Sequence, residues 1–137
     1  MSTIASDAAS SAVRYNVGEH ETRPWGRWEV LGTGTGYTLK RIEVNPGQRL
    51  SLQFHHHRDE HWTIVEGHGE VQVGEELLAV STGAHVFIPV GALHRIQNTG
   101  DTVLVFIEVQ VGDLLDESDI VRVIDDYGRQ PLQPANR

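Results

Sequence analysis

Five of the eight histidines sit where side chains could converge on one point. Four lie in the string Gln53-Phe54-His55-His56-His57-Arg58-Asp59-Glu60-His61. The fifth, His94, follows Pro89-Val90-Gly91 and precedes Asn98. Imidazole nitrogens with a carboxylate and an amide oxygen form a ligand set for a divalent metal. The chain has no cysteine, so thiolate sites and disulfides are excluded. Side chains two apart in a strand share a face. Gln53 and His55 should therefore point one way and Leu50, Leu52 and Phe54 the other. A bend after His57 would let Glu60 return from the next strand, and His94 would arrive from a distant one. His56 and His57 read as a solvated turn.

Such ligands need a scaffold of short strands, and the sequence supplies one. Segments rich in Val, Ile, Leu, Phe and Thr, bounded by glycine or proline, lie near 27–31, 37–44, 49–54, 61–65, 69–73, 76–80, 85–88, 94–98 and 102–111. This rhythm predicts an all-β sandwich or barrel. Arg23 to Gly26 reads as a turn and Gly32 to Gly36 as a loop. Asn45-Pro46-Gly47 and the Gly74 region read as further turns. The one helical candidate is Leu114 to Asp119.

The chain's 137 residues fit a single, stand-alone domain. Residues 1–21 read as a flexible tail, 22–129 as the domain and 130–137 as a second tail. Net charge is −8, which argues against nucleic acid and anionic membranes as partners. No apolar run approaches the roughly 20 residues of a membrane span, and no secretory signal is evident. A soluble cytoplasmic protein is expected. Lys40 is the only lysine beside ten arginines. Arginine suits bidentate recognition of phosphate or carboxylate, although a GC-rich genome produces the same bias.

Spacing adds a resemblance. Gly47, five residues, Gln53, one residue, His55, four residues, Glu60, six residues and Gly67 form one pattern. Gly83, five residues, Pro89, one residue, Gly91, two residues, His94, three residues and Asn98 form another. These resemble the two signature motifs of the cupin superfamily, double-sheet jelly-roll barrels also described as double-stranded β-helices. The second matches throughout; the first departs at Gln53, where cupins usually carry histidine. Gln-x-His, and the string Ser51 to Trp62 as a whole, resemble the C-terminal isomerase domain of the type II mannose-6-phosphate isomerases. Arg23-Pro24-Trp25-Gly26, Ile107 to Gly112, Asp119 to Arg122 and Tyr127-Gly128-Arg129 extend the likeness.

The resemblance implies metal ligands Gln53, His55, Glu60 and His94. One divalent ion is expected, zinc first, with Mn, Fe, Co or Ni also compatible. It implies interconversion of mannose 6-phosphate and fructose 6-phosphate through an enediolate, and no guanylyl transfer. Such a reaction needs a Lewis acid, a proton carrier and a cationic grip on the phosphate. Lys40 shares parity with Ile42 and Val44, so it is a candidate proton carrier, or else an ion-pair partner for Glu108. His61 is a second candidate, unless it faces outward. Arg58, Arg95, Arg122 and Arg129 are candidates for the phosphate. Trp25, Trp28 and Trp62 belong in a core or interface, with one available to stack on a sugar. A homodimer is expected, since exposed edge strands need covering. The competing readings are an iron-dependent dioxygenase and a non-enzymatic sugar-binding or sensor domain. Gln53 argues against the dioxygenase.

Overall fold

The computed structural model describes residues 15–115 and 117–128. Eleven strands form two antiparallel sheets. In chain order they are β1 (His20–Arg23), β2 (Gly26–Gly34), β3 (Tyr37–Val44), β4 (Leu52–Phe54), β5 (Arg58–Glu66), β6 (His68–Val73), β7 (Glu76–Ser81), β8 (His85–Ile88), β9 (His94–Asn98), β10 (Leu104–Gly112) and β11 (Val121–Ile124). One sheet runs β1-β2-β3-β10-β5-β8 and the other β11-β4-β9-β6-β7. Sheet neighbours distant in sequence make this a jelly-roll barrel, not a meander. Among the described residues, no helix is long and apolar enough to cross a membrane.

Strand alternation sorts the interior. Along β3 the buried positions are Thr38, Lys40, Ile42 and Val44. Along β5 they are Arg58, Glu60, Trp62 and Ile64, and along β10 Leu104, Phe106, Glu108 and Gln110 lie inside. Register aligns them in rows: Phe106 is opposite Ile42 and Ile64, Glu108 is opposite Lys40 and Trp62, and Gln110 is opposite Thr38 and Glu60. One end of the barrel is therefore apolar, where Val44, Ile64, Val71, Ile96 and Leu104 are fully buried. The other end, built from the same strands at the same parity, is polar and charged.

The structure departs from the expected elements at four places. Gly32 to Gly34 belong to β2, which pairs with β3 in a hairpin turning at 35–36. The chain enters the fold before residue 22: Tyr15 is buried against Trp28 and β1 begins at His20. Among the described residues of 114–119 there is only a single 3-10 turn, Glu117–Asp119. Finally, regular pairing in β4 starts only at Leu52, preceded by one bridge at Arg49. Leu50 therefore does not follow the expected parity and faces the same cleft as Gln53.

Candidate metal centre and adjoining cleft

At the polar end, His55, Glu60 and His94 offer ligand atoms that all lie within 4.8 Å of one another. The three residues are at most 2% exposed. Glu60 is carried inward by β5. His94 opens β9, and Gln53 sits directly across the β4–β9 ladder from it. His55 follows β4 at a bend through His56 and His57, which returns the chain into β5 as the sequence implied. Gly91 holds φ at +84°, a left-handed conformation that favours glycine, and its N–H donates to the His55 carbonyl at 2.9 Å. The turn before the last histidine is thus tied to the first. Gly112 packs so closely on this bend that a β-carbon would lie 2.0 Å from the His57 carbonyl oxygen.

The imidazoles are oriented by backbone carbonyls. His55 Nδ1 lies 3.0 Å from the Asp119 carbonyl oxygen and His94 Nδ1 lies 2.9 Å from that of Ala92. A carbonyl only accepts, so each Nδ1 carries the proton and each Nε2 faces the cluster. Burial lowers the His94 pKa to about 4, so near neutrality its Nε2 is a lone pair. His55 Nε2 is 3.0 Å from Glu60 Oε2, and His94 Nε2 is 3.9 Å from Oε1. Two imidazoles and one carboxylate, with the Gln53 amide adjacent, make a donor set that could hold a metal ion. Gln53 Nε2 donates to Ser51 Oγ at 3.0 Å, so its Oε1 is the atom it could offer to an ion.

Around the cluster, charges are set in place. Arg58 Nε donates to Glu60 Oε2 at 2.9 Å, and Trp62 Nε1 donates to Oε1 at 2.9 Å. Burial alone would raise the Glu60 pKa. Arg58, together with hydrogen bonds from Glu108 and His55, instead holds it well below the usual carboxylate range. Glu108 goes the other way: burial and then the Glu60 charge push it well above that range. One of these two carboxyls is therefore ionised and the other protonated, the usual outcome for close buried carboxyls. Gln110 Nε2 completes the array by donating to Glu108 Oε1 at 2.9 Å.

Asp119 is a positioning residue that strand patterning did not reveal. Its Oδ1 and Oδ2 accept the N–H groups of His56 and His57 at 2.9 and 3.0 Å, while its carbonyl holds His55. Its side chain is buried. A carboxylate on two successive backbone donors fixes the histidine bend. Its sequence signal lay only in the Asp119 to Arg122 stretch quoted above.

Beside the cluster opens a cleft of about 430 Å³, counting solvent at its mouth. Trp25, Trp28, Ile42, Leu50 and Ile120 form apolar walls; Gln53 and Arg58 link it to the cluster. Lys40 and Arg122 also line it, so the structure brings Arg58, Arg122 and Lys40 together. Lys40 pairs with Glu117 at 3.0 Å and with the Tyr15 hydroxyl at 2.8 Å, not with Glu108 as the strand pairing suggested.

Other candidates are not brought there. His61, next to Glu60 on β5, faces the opposite side of the sheet and packs on His85 and Phe87. Arg95, next to His94 on β9, points away by the same rule; it donates to the Leu50 carbonyl and lines a separate depression with Arg49 and Glu70. Adjacent strand residues cannot both face the site. Arg129 lies outside the described residues. Asn98 staples a turn, donating to the Val44 and Thr102 carbonyls and accepting from Gly100 N–H. All three tryptophans are buried in the hydrophobic core as expected, and Trp25 and Trp28 also line the cleft.

Two sheets closed around a buried His-Glu-His cluster define a cupin. Solved structures agree: a cupin-2 domain from Rhodospirillum rubrum is 29% identical with a TM-score of 0.59, over 68% of this chain and 67% of that one. Oxalate decarboxylase from Lactobacillus farciminis shares the fold at a TM-score of 0.67 and 23% identity, over 77% of this chain and 33% of that one. Within the cupins, the chain belongs to the mannose-6-phosphate isomerase C-terminal family, whose model matches residues 11–126. Xanthan biosynthesis protein XanB of Xanthomonas campestris pv. campestris is 50% identical over 107 residues, 78% of this chain and 23% of that protein. Mannose-1-phosphate guanylyltransferase of Escherichia coli K12 is 43% identical, over 78% of this chain and 22% of that protein. The chain thus spans less than a quarter of the length of these relatives.

Proposed function

We propose that this domain interconverts mannose 6-phosphate and fructose 6-phosphate, with one divalent metal, zinc by preference, held by Gln53, His55, Glu60 and His94. The observation that carries the reading is the pre-oriented cluster, within 4.8 Å, opening beside a cationic cleft in a chain of this family. A bound ion would supply Lewis acidity toward a substrate oxygen.

The chain's own residues have separate tasks. Asp119 and the Ala92 carbonyl keep the imidazoles aimed before any ligand arrives. Arg58 and Trp62 keep Glu60 ionised and fixed. Trp25, Trp28, Ile42 and Leu50 present an apolar wall that excludes water from a sugar ring. Basic side chains of the cleft neutralise the phosphate. Of the two candidate proton carriers, only Lys40 lies in reach of the cleft.

The test is turnover of mannose 6-phosphate in a coupled assay, with and without chelator. Metal-dependent turnover is expected. No turnover under any supplied divalent metal would sink the reading and leave a sugar-binding domain in its place. Gln53→His sharpens the test. An amide leaves a metal more electron-poor than imidazole does, so the variant should keep metal and lose isomerisation. Equal activity would reduce Gln53 to a lineage marker.

A further inference from the structure

Polarity is inverted along β10, an inner strand of the six-stranded sheet. Near the cluster its inward positions are Glu108 and Gln110, whereas Ile107, Val109 and Val111 point outward. An antiparallel sheet with one solvated face normally does the reverse, apolar in and polar out. Register extends the outward row across the sheet. Val109 stands opposite Leu39 on one side and His61 on the other, His61 stands opposite Phe87, and Val111 stands opposite Tyr37. Tyr37, Phe87 and Val111 are 46%, 47% and 42% exposed. The other sheet follows the ordinary rule: β6 and β9 turn Glu70, Gln72, Arg95 and Gln97 outward.

A contiguous apolar patch of this kind marks contact with another macromolecule. Charge and size select which one. The charged side chains on the β2–β3 side of the face come as matched neighbours, Arg27 with Glu29 at 3.6 Å and Arg41 with Glu43. Asp59 and Glu66 lie at the two ends of β5, on the rim. A chain of net charge −8 repels its own copies, so it pairs with one only through a patch whose centre carries no excess charge. A basic partner would call for unpaired acids at that centre instead. Four strands of eight or nine residues and two of four, about 4.8 Å apart and about 3.4 Å per residue, present roughly 700 Å² in projection. A standard interface takes about 800 Å² of accessible surface per partner, which side-chain relief on such a face supplies.

We propose that two copies of this chain pair back to back, burying the outer face of the six-stranded sheet around Val109 in a two-fold contact. Two sheets packed in this way lie about 10 Å apart with their side chains interdigitated. The same patch serves both partners, as two-fold symmetry requires. The second copy brings apolar contact to the level where the barrel interior has least, because Val109 and Val111 stand on the reverse of Glu108 and Gln110. Pairing is through this face and not through the sheet edges β1 and β8. It holds whether or not the cluster carries a metal or the domain turns over a sugar phosphate.

The experiment is analytical ultracentrifugation of the full chain at micromolar concentration, with circular dichroism to check folding. The variants are Val109→Asp, Phe87→Asp and, on the outer face of the other sheet, Gln72→Asp. Wild type should sediment at twice the chain mass. Val109→Asp should weaken pairing about 100-fold or more, because two-fold symmetry brings two carboxylates into one desolvated contact. Phe87→Asp, nearer the sheet edge, should weaken it about tenfold by the same repulsion, and Gln72→Asp should match wild type. A wild-type monomer overturns the proposal and leaves the face to another macromolecule or to another part of the chain. An assembly of any size that survives both Val109→Asp and Phe87→Asp in folded protein overturns it too, as does one that Gln72→Asp dissolves equally. If Val109→Asp does not fold, Phe87→Asp decides: unchanged pairing in that folded variant overturns the proposal, and weakened pairing supports it.

Discussion

The two ends of the barrel interior are made from the same strands and differ in everything else. At one end Val44, Ile64, Leu104 and Ile96 close a dry core. At the other, a step or two along β3, β5 and β10, the inward positions are Lys40, Arg58, Glu60, Glu108 and Gln110. The apolar end owes its stability to area and shape. The polar end is costly to bury and is tolerated because its carboxyl groups are met, Glu60 by Arg58, Trp62 and His55 and Glu108 by Gln110 and Trp62, with Gln110 Oε1 left as a buried acceptor without a donor. Alternation decides the fold at both ends; the residue type placed on the inward parity decides whether that end packs or binds.

The sharpest way to break the contrast is Glu60→Ala. It should remove the metal, seen as loss of about one divalent ion per chain in elemental analysis. It should also cost about 3–5 kcal/mol in denaturant unfolding, because Arg58 and Trp62 lose a buried acceptor. Ile64→Ala probes the other end. Its cavity should cost about 2–5 kcal/mol while metal content in the folded protein stays unchanged. A fall in metal content with this variant would show that the two ends are coupled.

A middle-sized effect is expected at Asp119→Ala. Two bend N–H groups lose their acceptor, so metal affinity should fall about 10- to 100-fold while the barrel still folds. Unchanged affinity would make the clamp dispensable. Acid should act on the polar end alone. In chelator-treated protein, the folded state holds the His94 pKa at about 4 and the unfolded chain near 6.5. The unfolded state therefore takes up the proton first. Stability contributed by neutral His94 is complete above the unfolded value and is lost as pH falls through the window between the two. Below about 4.5, Glu117 adds a second loss. Burial would raise its pKa, but Lys40 and Tyr15 hold it at about 2. A pH series of melting temperatures that stays flat from 7 to 4 would contradict this. The smallest effect belongs to His61→Ala, on the outer face of β5: within about 0.5 kcal/mol, with metal content unchanged.

Much of this contrast is written in short-range pattern. His55, Glu60 and His94 stand out by type and spacing, and Lys40 declares itself by sharing parity with Ile42 and Val44. The same parity separates Glu60 from His61 and His94 from Arg95, so both outward placements follow from strand geometry. What the pattern does not carry is contact at long separation. Nothing local in Tyr15, Glu117 or Asp119 says that the first two meet at Lys40 or that the third grips a bend more than 60 positions earlier. The hairpin through Gly32 and Gly34 was hidden for a different reason. Glycine-rich sequence reads as loop, but pairing with β3 recruits it into a strand.

The grip of Asp119 on the histidine bend has a consequence for assembly. The candidate ligands at 55, 60 and 94 are synthesised well before the residue that aims the first of them. A nascent chain that has exposed only the earlier strands presents a loose imidazole and an unanchored turn. High-affinity loading should therefore wait until residue 119 has emerged and docked, and contacts this remote in sequence form slowly. The expected order is barrel closure, then capture of the histidine bend, then any ion, and metal uptake by chains truncated before residue 119 would check it.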